Sequence, residues 1–192
     1  MSDRDLLEGL AILRFLPQSA RALVVDSFVP VSFSFGDIIV REGDPADAFY
    51  VLVSGRARII KRTEQGEEIS LNTLRSGDSF GEMGLLEHST RTATVRASSD
   101  VSALRLDKSV FESLLKQSPD IRIYLELQIK HRKLENFFRH FTPFARLPPE
   151  ALQLLLDELA SVSVAAGTLV VREGDPPGPM YFIEEGHLRV FT

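Results

Sequence analysis

Hydrophobic and polar positions change period along this chain, and the changes mark out its elements. Between Ser19 and Phe28 the apolar residues Ala20, Leu23, Val24 and Phe28 follow a helical spacing, with Ser19 as the expected cap after Pro17. The period then shortens. Phe33, Phe35, Ile38, Val40, Phe49, Val51, Val53 and the run Ala57 to Ile60 predict short strands, separated by Gly36, Gly43-Asp44-Pro45 and Gly55. Glu67 to Leu74, Thr92 to Ala97 and Val101 to Leu106 continue the pattern after Gln65-Gly66, Ser76-Gly77 and Ser98-Ser99-Asp100. Roughly eight short strands with close turn signals predict a mainly β fold, an antiparallel sandwich or jelly roll with flanking helices. From Asp107 the helical period returns. Asp107 is expected to cap KSVFESLLK, and Ser118-Pro119-Asp120 to open a long helix that ends near Phe141, because Thr142 precedes a proline. Its charged run Lys130-His131-Arg132-Lys133 predicts a solvated face.

The chain also repeats itself. At an offset of 131 residues, Leu16 to Ile59 lies on Leu147 to Val190 without a gap, and GDIIVREGDPADAFYVLVSGRARI matches GTLVVREGDPPGPMYFIEEGHLRV. Residues 1–15 then read as an N-terminal helical segment, 16–146 as one complete unit, and 147–192 as the beginning of a second copy. Thr192 corresponds to Lys61, so the second unit is expected to continue in a longer protein.

Composition narrows the function. The 192 residues are 44% hydrophobic and 26% charged, which predicts a packed core rather than disorder. A net charge of −5 has the wrong sign for coating phosphate backbones, so no nucleic acid partner is expected. There is no Cys, which removes disulfides, thiolate nucleophiles and Cys-based metal sites and fits a reducing, cytoplasmic location. No apolar run approaches a membrane span, so no direct membrane insertion is expected.

Enzymatic readings fare poorly. Gly77-Asp78-Ser79-Phe80-Gly81 fits the G-x-S-x-G pattern, and Gly-Asp-Ser-Phe is similar to the opening block of GDSL-type hydrolases. A nucleophile elbow belongs to a parallel α/β sheet, however, and this chain predicts antiparallel strands. His88, His131, His140 and His187 stand in unrelated contexts and read as surface residues, so no metal or cofactor is implied. The informative stretch is FGEMGLLEHSTRTATVRA, Phe80 to Ala97. It offers a glycine for close backbone approach, a carboxylate next to it, a short apolar helix whose first N–H groups attract an anion, and Arg91 nine residues after Glu82. Arg91 can clamp a phosphodiester, and an ionised Glu82 suits a sugar hydroxyl. Phosphate and ribose hydroxyl together spell a nucleotide. From these two residues alone, an ion pair between Glu82 and Arg91 that staples a barrel is an equal alternative.

These residues resemble the cyclic nucleotide-binding domain family, which is shared by the bacterial catabolite activator, kinase regulatory subunits and cyclic-nucleotide-gated channels. One family signature is Ile39 to Gly55, IVREGDPADAFYVLVSG; the other is the phosphate-binding cassette, Phe80-Gly81-Glu82, Gly84, Leu85 and Arg91-Thr92-Ala93. The resemblance implies a β-roll with an N-terminal helix and a C-terminal hinge and lid helix. It implies a ligand, cAMP favoured over cGMP, held by Gly81, Glu82, Met83, Gly84, Leu85, Arg91, Thr92 and Ala93. Glu82 would take the ribose 2′-hydroxyl, Arg91 and the backbone near Gly81 and Gly84 the phosphate, and Thr92 the phosphate or base edge. Ungapped likeness to the catabolite activator brings Asn136 and Phe137 to the base, with packing of Phe137, Phe138 and Phe141 as the alternative.

The implied role is a regulatory sensor for a covalently linked effector, without catalysis. Homodimer formation is left open, and a nucleotide-free structural or oligomerisation domain is the rival. From Phe137 onward the chain also resembles tandem sensor modules of bacterial peptide-exporting ABC transporters, so it could be the cytoplasmic part of a membrane protein. The second unit has only the first signature and Pro177 where a small residue is usual, so no binding residue is carried to it. Arg41 to Asp44 and Arg172 to Asp175 read as structural turns.

Overall fold

The computed structural model describes residues 3–62, 66–87, 89–183 and 186–191. Two units can be distinguished, 1–156 and 157–192.

The first unit opens with helix α1 (Asp3–Glu8), a 3-10 turn (Ala11–Phe15) and α2 (Gln18–Asp26). Helix α2 starts one residue before the expected Ser19 cap: Pro17 occupies the cap position and no side chain caps the helix. Proline explains this, since its ring presets the torsion that starts a helix and its missing N–H is not needed there. Eight strands then run β1 (Val29–Phe33), β2 (Ile38–Val40), β3 (Ala48–Ser54), β4 (Ala57–Arg62), β5 (Glu68–Leu74), β6 (Ser79–Phe80), β7 (Thr94–Ala97) and β8 (Val101–Asp107), with the five-residue helix α3 (Glu82–Leu86) between β6 and β7. They form two antiparallel sheets, ordered β1-β8-β3-β6 and β2-β7-β4-β5, so the expected β-roll is what the chain builds. Phe35, read as a strand position, falls in the turn around Gly36 instead. Thr92 and Ala93 precede β7 rather than belonging to it.

Strand β3 explains the architecture. Ala48, Tyr50 and Leu52 join the core between the sheets with Ile39, Phe80 and Val95, while Phe49 and Val51 join a second core under the helices with Leu13, Phe111 and Ile121. Both faces are buried, which is why this strand is a continuous apolar run rather than an alternating one. The helical half continues with α4 (Lys108–Gln117) and the long helix α5 (Pro119–Phe141), then a 3-10 turn (Pro143–Arg146) and α6 (Pro149–Asp157). Asp107 and Ser118 sit at the cap positions expected of them, although neither side chain makes a capping hydrogen bond. No helix among the described residues is long and apolar enough to cross a membrane.

Turns in the two matching segments share backbone geometry. Helices α2 and α6 have bounds 131 residues apart. Gly36, Gly43 and Gly55 have φ of +90°, +87° and +88°, and Gly167, Gly174 and Gly186 at the same offset have +81°, +89° and +94°. The turn bonds Asp37 N to Ser34 O (3.0 Å) and Asp44 N to Arg41 O (3.2 Å) recur as Thr168 N to Ala165 O (3.1 Å) and Asp175 N to Arg172 O (3.2 Å). The strands do not recur: residues 157–191 contain none among the described positions, and Val171, Ile183 and Val190 are exposed. In the first unit β1 pairs with β8, β2 with β7, and β3 with β6 and β8. Within these 192 residues no segment at the same offset from β6, β7 or β8 is present for residues 157–191 to pair with.

Candidate functional site

The cassette begins where β6 leaves the sheet. Gly81 turns the chain with φ +90°, and a side chain there would place its Cβ 2.7 Å from Arg91 Nη1 and 3.0 Å from the Ala48 carbonyl. Glycine is therefore required both for the torsion and for the close approach. Helix α3 follows, with Glu82, Gly84, Leu85 and Leu86 buried. A Cβ on Gly84 would lie 2.7 Å from Thr90 O and 2.9 Å from Ala46 Cβ, so helix and loop touch without space for a methyl. The loop is fixed by the turn at residues 43–45: Arg91 N donates to Asp44 O (2.8 Å), Gly43 N donates to Arg91 O (2.9 Å), and Pro45 bridges to Thr90. The Arg-Glu-Gly-Asp-Pro segment is thus a structural turn, as expected, and also a wall of the site.

Arg91 is 4% exposed. Its Nη1 donates to Gly81 O at 3.0 Å, its Nη2 to Asp47 Oδ1 at 2.6 Å, and its guanidinium lies 5.8 Å from the Tyr50 ring centre. A cavity of about 380 Å³ opens beside it, walled by Ile39, Val40, Asp47 and Tyr50, with Glu82 outside its lining. Glu82 is 1% exposed. Its Oε1 accepts from Arg132 Nη2 at 2.8 Å, and its Oε2 has no hydrogen-bond partner among the described residues. Burial pushes the Glu82 carboxyl above the ordinary carboxylate range, against the opposing pull of Arg132 and Arg91.

Two sequence readings are corrected here. Glu82 and Arg91 are not each other's ion pair: Glu82 takes Arg132 and Arg91 takes Asp47. Nor is the run 130–133 a solvated face throughout, since Arg132 reaches Glu82 and Lys133 pairs with Glu87 at 2.7 Å. The reason is that α5 crosses the cassette, so the face that sequence assigns to water looks onto its carboxylates. Sequence reading assigns no role to Asp47 and places Arg132 only in a solvated run. A signal existed for Asp47, because the repeat places Gly178 at the same offset, leaving a carboxylate only in the unit that has a cassette.

Of the remaining predicted residues, Thr92 and Met83 adjoin each other. The Thr92 hydroxyl is 3.7 Å from Met83 Sδ, and its carbonyl accepts from Lys61 Nζ at 2.8 Å. Met83, Thr92, Ala93, Asn136 and Phe137 are half-buried. Phe137 meets Phe138 edge-on at 5.6 Å, and Phe138 packs toward Phe144 at 6.0 Å. Ser79 sits in β6 paired with Val51, not at the exposed apex of an elbow. Of the histidines, His187 is exposed, exposed His131 lies 3.3 Å from Gln153 Oε1, and half-buried His140 lies 3.4 Å from Leu71 O, linking α5 to β5 rather than standing free on the surface. His88 is outside the described residues.

Comparison with known proteins agrees with the β-roll fold. Residues 30–118 match the family described as cyclic nucleotide-binding domain. The chain is 33% identical over 176 residues to a cAMP-dependent protein kinase regulatory subunit of Dictyostelium discoideum, covering 91% of this chain and 51% of that protein. It is 26% identical over 177 residues to cGMP-dependent protein kinase 2 of Mus musculus, covering 92% of this chain and 21% of that one. The chain thus spans about half the length of the first relative and a fifth of the second. Among solved structures, the regulatory domain of Toxoplasma gondii PKA crystallised with cAMP superposes with a TM-score of 0.62 at 26% identity, covering 67% of this chain and 48% of that chain. By sequence match and by fold, residues 30–118 are similar to the cyclic nucleotide-binding domain family, and the chain has relatives among kinase regulatory subunits and cGMP-dependent kinases.

Proposed function

We propose that the first unit binds a 3′,5′-cyclic nucleotide, cAMP in preference to cGMP, and serves as a cytoplasmic regulatory sensor for an attached effector. The carrying observation is Glu82 Oε2, a buried carboxylate oxygen without a partner among the described residues, within electrostatic reach of the buried Arg91. An unsatisfied buried acceptor costs about 1–3 kcal/mol, and a ribose 2′-hydroxyl would relieve that cost. Arg91, directed by Asp47 and the Gly81 carbonyl, would take the cyclic phosphate beside the Gly81 and Gly84 backbone, with Met83, Leu85, Thr92 and Ala93 around it. Asn136 lies one helical turn beyond Arg132 and so shares the face of α5 that meets the cassette, which supports a contact with the base by Asn136 and Phe137. Because Arg132 and Lys133 tie α5 to Glu82 and Glu87, a ligand on Glu82 would bias the position of α5, the element leading into the second unit. The recurrent glycine turns at offset 131 support reading residues 147–192 as the beginning of a second such domain.

The test is calorimetric titration of the purified chain with cAMP, cGMP and 2′-deoxy-cAMP. Saturable binding of cAMP, weaker binding of cGMP, and a large loss for the deoxy ligand are expected. A structural domain without nucleotide is favoured by one observation: both buried charges already have internal partners. Absence of binding by all three ligands would establish that reading.

A further inference from the structure

Strand β8 places Arg105 directly opposite Tyr50 of β3. Cross-strand partners project from the same face of a sheet, so the two side chains are neighbours. From there Arg105 Nη2 donates to Asp47 Oδ2 at 3.2 Å and Nη1 donates to Asp107 Oδ1. The other Asp47 oxygen, Oδ1, accepts from Arg91, and the Tyr50 ring lies against the same Arg91 guanidinium. Arg105 therefore touches both side chains that hold Arg91. Burial opposes its charge, but hydrogen bonds to Asp107, Asp47 and Tyr50 outweigh this and hold its pKa above that of an ordinary arginine.

The arrangement has a directional consequence. The Asp47 side chain is 60% exposed, so a carboxylate held through one oxygen alone would rotate toward water. Held through both oxygens, it presents Oδ1 to Arg91 in one orientation. We propose that Arg105 is a positioning residue for anion capture: through Asp47 and Tyr50 it fixes the direction in which Arg91 presents its guanidinium to a phosphate. This rests on the reading of Glu82 and Arg91 as a nucleotide site. Arg105 would touch no ligand atom itself.

The full chain and its Arg105→Met, Arg105→Lys and Arg91→Ala variants are titrated with cAMP and with the two phosphorothioate diastereomers of cAMP, in which sulfur replaces one or the other exocyclic oxygen. A fixed guanidinium distinguishes the diastereomers because sulfur is the weaker acceptor. Arg105→Met is expected to bind cAMP about tenfold more weakly, within the coupling range of residues in one ion-pair network, and to discriminate less between the diastereomers. Arg105→Lys should recover part of both, and melting without ligand should be unchanged. Equal affinity and an equal diastereomer ratio in wild type and Arg105→Met would overturn the proposal. So would weaker binding with discrimination intact and a matching fall in melting temperature, which marks a purely structural role. A ligand-free readout separates this from failure of the nucleotide reading: the Arg91 Nε–H resonance, assigned by its loss in Arg91→Ala, should exchange faster with water in Arg105→Met. If wild type binds no nucleotide the anion-capture role falls with the site, whereas unchanged Arg91 exchange overturns the positioning itself.

Discussion

Arg132 of α5 donates to Glu82 Oε1 at 2.8 Å, so the helix lying on the cassette and the cassette itself share one buried charge. Glu82 is almost wholly enclosed while the Arg132 side chain is about one-third exposed. The energetic burden of the pair therefore falls on the carboxylate, and removing the arginine would leave that charge without its cation.

Arg132→Ala is accordingly expected to lower unfolding free energy at pH 7 by about 1–3 kcal/mol, the cost of stranding a buried acceptor. Adding Glu82→Gln should restore most of it. Denaturant titrations of the single and double variants check this, and an unchanged midpoint for Arg132→Ala would show that the pair contributes nothing.

The raised Glu82 pKa gives a pH dependence of definite sign. Between the ordinary value of 4.5 and the raised native value, the folded state holds a proton that the unfolded state has lost, so this group's contribution to stability falls as pH rises. Glu82→Gln lacks that titration. Its melting temperature relative to wild type should climb as pH is raised from 4.5 toward neutrality, and a constant difference across this window would contradict the direction of the shift.

Arg91→Ala should nearly abolish nucleotide binding. Truncating a desolvated charge that faces an anion costs roughly 2–5 kcal/mol, on the order of a hundredfold or more in affinity. The apo fold should survive, because Asp47 keeps Arg105 and is itself largely exposed. Calorimetry and thermal melts read the two effects separately; wild-type affinity in the variant would remove Arg91 from the site.

Gly84→Ala tests the fit of α3 against its surroundings. The new methyl would meet the Thr90 carbonyl and Ala46 Cβ, neither of which is the end of a flexible side chain. A stability loss of about 1–3 kcal/mol is expected from such overpacking, together with weaker binding as the loop carrying Arg91 shifts. Unaltered stability and affinity would mean that the cassette yields freely.

Phe137→Ala separates stacking on a base from packing against Phe138. A base-contact role predicts an affinity loss of about 1–3 kcal/mol with ligand-free melting preserved. Early melting with normal binding would assign the ring to packing.

Much of this protein is legible in its residues because the determining interactions are short in sequence. The glycine turns, the change of period at the strands and the start of α5 at Pro119 follow from torsional preference and period, and the spacing of Glu82 and Arg91 is read directly from the chain. The partners of the two site charges do not. Asp47 stands 44 residues before Arg91, and Arg132 lies 50 residues after Glu82. Nothing in local pattern says which cation meets which carboxylate; the crossing of α5 over α3 and the β3–β8 register decide it. A run of charges on a helix looks solvated until the fold lays another element against it.

The repeated segment shows the same division within one sequence. Gly43 and Gly174 make the same turn, closed by a bond across three residues that needs only the local chain. Residues after Gly43 become β3 because β6 and β8, far along the chain, supply its hydrogen bonds and both of its buried faces. Residues after Gly174 carry a matching pattern but no such partners among these 192 residues, and they form no strand among the described positions. Sequence alone determines a turn, because its hydrogen bonds close locally; a strand is decided by tertiary structure, because its donors, acceptors and buried surface are satisfied only by distant residues.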